Sequence, residues 1–541
     1  MITRISCFLP FMMGLSLHAA AEEKIPKRPN VILLFSDQHR ADAFGFQGNP
    51  DALTPNLDSL AKKGVVFNRA YCQDAVSVPS RSSMFTGLYP RTLGILDNTK
   101  VNNSVMEEVV SLQTTFQKNG YTTYAFGKRH LDGKADEGWS VMRGHAAKES
   151  PEDNYVKWVA EKGYAQEFGE DWAAEFGVFP KGNSLEDTAF PKAPMGTRIS
   201  RLDEMVTMEA YSALNTIEVI RKHKENKEPF FCFTSFYRPH QPYTPLPKYL
   251  SAYDLSRWGE GAKNNSAIVM PRTLRQPPEQ LPPLLANLRK NENGIWCLGR
   301  AMKDEQLYRN YIGAYYALVA EIDHWVGEIL NELAKSGLAE NTIVIYASDH
   351  GDFIGNHGMI EKAATGHNVF EETLRVPLIF YWEGKSQSNY INNDLVELID
   401  IYPTLMELAG LKSPEFTYPL QGRSIAKTIT ARKPVGRAYV VSENWSQATV
   451  ITPTHKLGIW LDPTPQPMNR DFRNFGDMLF EYASDPYEIK NRMNDESLEE
   501  VKTQLYKYFA DFEKRVSNRG KKEVMELNRN TLKEKRKNNT K

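Results

Sequence analysis

The chain has 541 residues, of which 41% are hydrophobic and 11% aromatic, so it can bury a large core and is not a disordered protein. Its length suits one large domain plus a smaller one. Because 66 Lys and Arg residues balance 67 Asp and Glu residues, overall charge excludes nucleic acid as an expected partner, and an anionic ligand would need a local basic cluster.

The first residues predict a secretory signal peptide at 1–21. Arg4 supplies the positive start, residues 5–17 form an apolar stretch, and Ala19, Ala20 and Ala21 are the small residues expected at a cleavage site. The apolar stretch is shorter than the roughly 20 residues that a membrane span needs, so stable membrane insertion is not expected. We therefore predict a periplasmic or secreted protein.

Cysteines are few. Beyond the predicted signal peptide, which contains Cys7, the sequence has Cys72, Cys232 and Cys297. An odd number without a CxxC pair indicates neither a disulfide framework nor a zinc site.

Short apolar runs rich in β-branched residues alternate with amphipathic segments along the chain. This pattern predicts an α/β fold whose central sheet is mixed but mostly parallel and is flanked by helices. The clearest predicted strands are 30–36, 122–126, 229–236, 342–348 and 376–382. Helices are predicted at 55–63, 306–336 and 394–409, each followed by a glycine.

Polar side chains follow four of these strands directly. In chain order they are Asp37, then Lys128 and His130, then His240, then Asp349 and His350. In open α/β sheets, ligands bind at the carboxyl ends of the strands. The sequence therefore predicts one site at this edge of the sheet.

The character of the chain changes at about residue 433. Predicted strands at 437–442, 455–461 and 477–482 precede an amphipathic helix at 497–515. We therefore expect a large domain at 22–432, a smaller α+β subdomain at 433–519, and a charged tail at 520–541 that has little to bury.

Two long segments, about 132–200 and 253–304, interrupt the predicted alternation of strands and helices. Long insertions in a compact domain are usually functional, and we expect these two to overhang the site. Their tryptophans are candidates for stacking on sugar rings: Trp139, Trp158, Trp172, Trp258 and Trp296.

Ser77 begins the segment SVPSRSSMFTG, in which Pro79 suits a first helical turn and Gly87 a helix end. The segment resembles the signature of the type I sulfatase family in the alkaline-phosphatase superfamily: Cys or Ser, any residue, Pro-Ser-Arg, then Thr-Gly. Four further motifs in the expected order extend the resemblance from about residue 29 to about 494. Ser77 is thus predicted at a helix N-terminus, where an anion is favoured.

The resemblance implies that a maturation enzyme oxidises Ser77 to formylglycine. In the family, one hydroxyl of the hydrated aldehyde attacks sulfur, and the other then expels sulfate by carbon–oxygen cleavage. Serine at this position is similar to the bacterial Ser-type branch, which is matured before export.

The resemblance also implies a calcium site formed by Asp37, Gln38, Asp349 and His350 together with an oxygen of the modified Ser77. Calcium prefers carboxylate and amide oxygens and tolerates irregular geometry. Gln38 and His350 depart from the family's common Asp-Asp and Asp-Asn pattern, although Asp-His is found in iduronate-sulfatase-like members. The alternative for His350 is a strand-end histidine bonded to backbone.

The segment Gly127-Lys128-Arg129-His130 resembles the family's G-K-x-H motif. By that resemblance Lys128 neutralises the sulfate, and His130 binds the formylglycine diol and takes its proton. Arg81 would orient the modified residue.

His240 lies in a segment that matches the family's P-H-x-P element, and is predicted to be the general acid that protonates the leaving alkoxide. Lys362 aligns with the lysine that shares the bridging sulfate oxygen. The stretch EETLRVPL at 371–378 resembles a further family element, and we interpret its charged residues as structural.

These observations together predict hydrolysis of a sulfate monoester, on a sulfated carbohydrate. Two alternatives remain open: a phosphate or phosphonate ester hydrolase of the same superfamily, and a non-catalytic sulfoglycan-binding protein in which Ser77 is never oxidised. Retention of Lys128, His130, His240 and Lys362 argues against the binder.

Overall fold

A computed structural model describes residues 28–95, 98, 108–146, 150–185, 188–253, 268–282, 286, 305–362, 368–444, 447–461 and 476–516. The predicted signal peptide and charged tail, Cys297, Trp258 and Trp296 lie outside these residues. Cys72 and Cys232 are both buried and free.

The helices span between four and 32 residues. They are α1 Pro55–Lys63, α2 Ser77–Thr86, α3 Pro90–Leu93, α4 Leu112–Lys118, α5 Tyr155–Glu161, α6 Ala165–Phe176, α7 Met208–Asn226, α8 Pro247–Leu250, α9 Glu305–Ser336, α10 Glu371–Leu374, α11 Ile401–Leu408, α12 Ala426–Ala431 and α13 Glu499–Val516. None of these described helices combines the length and apolar character that a membrane span requires.

The strands form three sheets. They are β1 Asn30–Asp37, β2 Val65–Phe67, β3 Ala70–Tyr71, β4 Thr122–Gly127, β5 Val141–Gly144, β6 Phe230–Pro239, β7 Thr342–Ser348, β8 Arg375–Val376, β9 Leu378–Trp382, β10 Tyr390–Asn392, β11 Val396–Glu397, β12 Val440–Asn444, β13 Gln447–Ile451, β14 His455–Trp460 and β15 Met478–Glu481.

The central sheet has eight strands in the order β10-β2-β9-β7-β1-β6-β4-β5. The five strands from β7 to β5 are mutually parallel, whereas β9 runs antiparallel to both of its neighbours, β7 and β2. The predicted mixed, mostly parallel sheet is therefore confirmed. Its parallel part brings the carboxyl ends of β7, β1, β6 and β4 to one edge.

Strand β1 is central because its side chains are apolar on both faces. Val31, Leu33 and Phe35 pack on one side with residues of α2, α4 and α11. Ile32 and Leu34 point to the other side, where α1, α7 and α9 cover them. A strand buried on both faces is typical of a parallel sheet between two helical layers.

The structure corrects two of the predicted elements. The predicted strand 376–382 is divided at Pro377, which has no N–H to donate, so that β8 pairs with β3 while β9 enters the central sheet. The predicted helix 394–409 is too long at its start. Residues Val396–Glu397 pair with β3, and the α-helix begins only at Ile401.

The C-terminal part is an antiparallel sheet in the order β12-β13-β14-β15, with α13 packed against one face. This confirms the predicted α+β character, although strand β13 was not predicted. Leu505, Phe509 and Phe512 supply the apolar face of α13. The proposed domain boundaries stay predictions.

Gly127 ends β4 and carries the chain towards Lys128, with φ of 84°. A Cβ atom there would lie 2.0 Å from the Ser235 carbonyl oxygen, whereas Gly163, with φ of 87°, has nothing within 4 Å. We expect Gly127→Ala to lower the free energy of unfolding by about 2–5 kcal/mol, from backbone strain plus overlap. Gly163→Ala should cost about 1–2 kcal/mol, from strain alone. Urea denaturation measures both, and equal losses would contradict the overlap.

Candidate active site

Ser77 is the first residue of α2, as predicted. Val76 before it is extended, and all ten residues of the helix are buried. The helix ends at Gly87, whose φ is 68° and whose N–H donates to the Ser83 carbonyl. The N-terminal N–H groups of α2 thus lie inside the protein, where they favour an anion.

Two strand ends deliver carboxylates to the same place. Strands β1 and β7 pair in parallel with Ser36 opposite Ser348, so Asp37 and Asp349 emerge side by side. Their carboxylate oxygens and a ring nitrogen of His350 all lie within 4.8 Å of one another. All three residues are buried.

Arg81, one turn into α2, joins the two carboxylates. Its Nε donates to Asp349 Oδ2 at 2.8 Å and its Nη2 to Asp37 Oδ2 at 2.9 Å. Nη1 donates to the Lys128 carbonyl at 2.7 Å and to the Ser235 hydroxyl at 3.0 Å. One buried guanidinium therefore joins the carboxyl ends of β1, β4 and β7 to Ser235 within β6.

The charges around Asp37 hold its carboxylate ionised. Burial alone would raise the pKa of Asp37, but the cationic side chains of Lys128 and Arg81 and the two nearby imidazoles lower it well below its usual value. Lys128 Nζ lies 2.7 Å from Asp37 Oδ2. Burial lowers the pKa of Lys128, and the Asp37 carboxylate offsets part of that effect.

The cluster is suited to a divalent cation. Asp37 Oδ1 is buried and has no hydrogen-bond partner among the residues that the structure describes. His350 Nδ1 lies 3.0 Å from the Gly351 carbonyl, so Nε2 faces the cluster, 3.1 Å from Ser77 Oγ. Burial lowers the pKa of His350 to about 4, which keeps the ring neutral as a ligand must be. His350 therefore contacts the backbone through Nδ1 and faces the cluster through Nε2.

Gln38 is placed differently from the other predicted ligands. Its Oε1 accepts from Lys362 Nζ at 2.7 Å, and its Nε2 donates to Asp352 Oδ2 at 2.6 Å and to the Tyr243 hydroxyl at 3.2 Å. Its φ of 70° places a non-glycine residue in the left-handed region. The structure thus joins Gln38 to Lys362, and its role as a metal ligand stays a prediction.

His240 and His130 approach from the neighbouring strand ends. His240 Nδ1 lies 2.8 Å from the Gln241 carbonyl, and its Nε2 lies 3.9 Å from Asp37 Oδ1. Burial, Lys128 and Lys362 lower the pKa of His240 well below its usual value. His130, whose φ is 49°, lines the same cavity as Lys128 and His240.

A second layer of the site was not predicted. Tyr311 donates to Asp352 Oδ1 at 2.6 Å, and Tyr315 donates to the Gln38 carbonyl at 2.7 Å. Both tyrosines project from α9, and together with Asp352 they fix the position of Gln38. Their spacing of four residues on a predicted helix was the available signal, since it places them on one face.

A cavity of about 670 Å³ opens beside Lys128, His130 and His240. Its described lining consists of Asn98, Lys128, His130, His145, Ala146, Val156, Trp172, Phe176, Pro180, Lys181, Tyr237 and His240. Much of this wall comes from the segment 132–200, as expected for an insertion that overhangs the site.

The tryptophans of that insertion have different positions. Trp172 lines the cavity. Trp139 instead packs on Phe85, Phe231 and Phe233 in the core. Trp158 packs at a tilt against Tyr155 and Tyr211. Of the described tryptophans in the insertion, Trp172 is thus the one positioned to contact a ligand in this cavity.

Sequence comparisons agree with this geometry. The profile described as "Sulfatase" matches residues 29–411, and that described as "N-sulphoglucosamine sulphohydrolase, C-terminal" matches residues 355–515. An arylsulfatase of Clostridium perfringens is 27% identical over 505 residues, which cover 87% of this chain and 92% of the relative. A Delta 4,5-hexuronate-2-O-sulfatase of Bacteroides thetaiotaomicron is 26% identical over 508 residues, with coverages of 89% and 88%.

Among solved structures, a phosphonate monoester hydrolase of Agrobacterium radiobacter matches with a TM-score of 0.70 and 21% identity. The match covers 91% of this chain and 96% of that protein. At this identity the likeness shows a common fold and nothing about the reaction.

The fold places a buried serine at a helix N-terminus beside two paired carboxylates, and the site is that of a hydrolase. The chain belongs to the sulfatase family, and so to the hydrolases of sulfuric esters.

Removal of Arg81 should leave two buried carboxylates without their shared partner. We expect Arg81→Gln to lower the free energy of unfolding at pH 7 by about 3–5 kcal/mol, because an unpaired buried charge is costly. Arg221 is the control, because its side chain is 66% exposed in its pair with Glu332. Arg221→Gln should lower the free energy of unfolding by less than about 1 kcal/mol. Urea denaturation of both variants is the measurement.

The pH dependence gives a second criterion. The folded-state pKa of Asp37 lies below its unfolded value of about 3.9. The stability it contributes is therefore present above that pH and lost as the pH falls through the folded pKa. Without Arg81 the pKa of Asp37 rises, so the deficit of Arg81→Gln should be largest at neutral pH and shrink as the pH falls below about 4. A deficit independent of pH would contradict the electrostatic origin.

Proposed function

We propose that this sulfatase hydrolyses a sulfate ester on a sulfated glycan, with Ser77 oxidised to formylglycine and with bound calcium, and that it acts in the periplasm or outside the cell. The observation that carries the proposal is the position of Ser77 Oγ. It lies 3.3 Å from Asp37 Oδ2 and 3.1 Å from His350 Nε2 at a buried helix N-terminus.

Sulfated glycans are supported by two observations. Relatives of this chain include a Delta 4,5-hexuronate-2-O-sulfatase and an N-acetylglucosamine-6-O-sulfatase. The cavity lined by Lys128, His130 and His240 has an aromatic wall that includes Trp172 and Tyr237. Aromatic side chains offer an apolar face against which the C–H face of a sugar ring can pack.

Formylglycine would supply a second hydroxyl at the Ser77 position, through which sulfate can leave by carbon–oxygen cleavage. Asp37, Asp349 and His350 would hold the calcium ion, with Gln38 as a further ligand if its amide turns from Lys362. The ion would supply positive charge beside the sulfate oxygens.

Lys128 and Lys362 neutralise the anionic substrate. Lys128 is buried with its ammonium beside Asp37 and 5.0 Å from the centre of the Tyr237 ring, so it faces the cavity from a fixed position. Lys362 is also buried and is held by Gln38. Preorganised cations in a site shielded from water stabilise developing charge strongly.

His240 is the proposed general acid. With the cavity free of anions, burial and the two lysines keep its imidazole neutral. A bound sulfate ester places a negative charge between these cations, which raises the pKa of the imidazole. Substrate binding and protonation of His240 thus favour each other, and the proton is then available to the leaving alcohol oxygen.

His130 is assigned the proton transfer that accompanies sulfate release. It follows β4, two residues after Lys128, and lines the cavity beside that lysine. Its left-handed φ of 49° turns the chain sharply at this point. Backbone strain of this kind is common where a side chain has to be held in a particular direction.

The alternatives are less well supported. The phosphonate monoester hydrolase shares the fold at 21% identity, which carries no information on the ester cleaved. For a binding protein, the buried Arg81, Lys128 and Asp37 contacts would serve no purpose at the nucleophile position.

The central test is sulfate release. Protein co-expressed with a formylglycine-generating enzyme should release sulfate from sulfated sugars, measured by ion chromatography, and its Ser77 peptide should be lighter by two hydrogens. Ser77→Ala should abolish release. Ser83 lies on the same helix, and its buried hydroxyl has no hydrogen-bond partner in the described part of the chain. Ser83→Ala should therefore leave sulfate release intact.

Removal of divalent ions with a chelator should abolish release, and added Ca²⁺ should restore it. Full activity in protein whose Ser77 peptide is unmodified would contradict the proposed nucleophile. Sulfate release that chelation does not change would remove calcium from the proposal and leave Ser77 in place.

The two histidines can be distinguished by the leaving group. His240→Ala should slow the cleavage of a sugar sulfate by about 10²–10⁴-fold, the usual value of general acid catalysis. An aryl sulfate should lose much less, because its phenol leaves without help. His130→Ala should slow sulfate release equally for both substrates. Steady-state and burst kinetics on the two esters make the comparison.

His324→Ala serves as the matched control, because His324 lies on α9 beside Trp325 and Glu204, away from the cavity. Equal losses for His240→Ala on both esters would remove it from the acid role. A leaving-group dependence seen with His130→Ala instead would exchange the two assignments.

A further inference from the structure

The described lining of the cavity carries more basic side chains than the proposed reaction uses. The described lining contains two lysines and three histidines but no aspartate or glutamate. Lys128 is paired with Asp37, and His130 and His240 are assigned to the reaction. The remaining lysine of the lining is Lys181.

Lys181 lies in the loop after α6, next to Pro180. Its side chain is exposed, and it forms no ion pair with any residue that the structure describes. A cation in a cleft whose described lining holds no acidic residue raises the positive potential along that lining. The charge of Lys181 is therefore directed at whatever enters the cavity.

An aromatic wall connects the reaction centre to this loop. Tyr237 contacts the Lys128 ammonium and stacks on His145 at 4.6 Å between ring centroids, and His145 stacks on Trp172 at 5.5 Å. Trp172 contacts Phe176, the last residue of α6, at 4.7 Å. A sugar that lies along this wall with its sulfate at Lys128 extends towards the loop of Lys181.

We infer that Lys181 binds a second anionic group on the same sugar, so that the substrate class is a sugar carrying a negative group besides the sulfate that is cleaved. The inference rests on the proposed function. A uronic acid carboxylate and a second sulfate have the required chemistry in common, and a lysine ammonium, as a point charge, accepts either.

The test compares matched sugars with and without the second charge. One pair is glucosamine 2-N,6-O-disulfate and N-acetylglucosamine 6-O-sulfate; the other is a hexuronate 2-O-sulfate and its methyl ester. Lys181→Gln should raise KM for the doubly charged member by about 5-fold, the upper range for a partly exposed ion pair. KM for the singly charged member and kcat for both should not change.

Three controls sharpen the comparison. Lys181→Arg should keep the wild-type KM, and Lys63→Gln, an exposed lysine on α1, should change nothing. The preference for the doubly charged sugar should weaken at about 1 M salt, where screening is strong. Calorimetric Kd values for the same sugars on Ser77→Ala repeat the comparison without turnover.

The outcomes separate this inference from the proposed function. The pair that responds identifies the second anion as carboxylate or sulfate. If the matured protein releases sulfate but Lys181→Gln changes neither member, or both equally, the inference is overturned and the proposed function stands. If the matured protein releases sulfate from no sulfated sugar, the proposed function fails, and this inference fails with it.

Discussion

The buried contacts of Arg81 are the constraint on which the site depends. One guanidinium fixes the ends of β1 and β7 through Asp37 and Asp349. It also fixes the end of β4 through the Lys128 carbonyl and the middle of β6 through the Ser235 hydroxyl. Because Arg81 lies on α2, these bonds also fix the helix that begins at Ser77. Buried charges are tolerated only when they are paired and hydrogen-bonded, so each member holds the others in register.

The residues around Ser77 and the residues that line the cavity come from different parts of the fold. The acidic and basic groups around Ser77 lie at the edge of a parallel sheet buried between two helical layers, where positions are precise. The wall that a substrate would contact is formed largely by the insertion between β4 and α7, which includes α5, α6 and the loop of Lys181. Such a loop region can vary without disturbing the sheet edge.

Local patterns predicted the strands and the helix at Ser77, because each depends on residues close together in sequence. The convergence of Asp37, Asp349 and His350 was predicted instead from the rule that ligands bind at the carboxyl ends of parallel strands, together with the family resemblance. Contacts between distant segments could not be predicted this way. The bond from Tyr315 to the Gln38 carbonyl joins residues 277 positions apart. For the same reason the sequence could not tell that Trp139 belongs to the core and Trp172 to the cavity, or that residues 396–397 pair with β3 before α11 begins.

The complete burial of α2 bears on whether Ser77 is modified before or after the chain folds. Ser77 is 1% exposed, and every other residue of its helix is buried. No second enzyme can reach this side chain once the helix has docked against Arg81's partners. The oxidation proposed for Ser77 is therefore expected before folding is complete, because in the folded chain it would first require α2 to open.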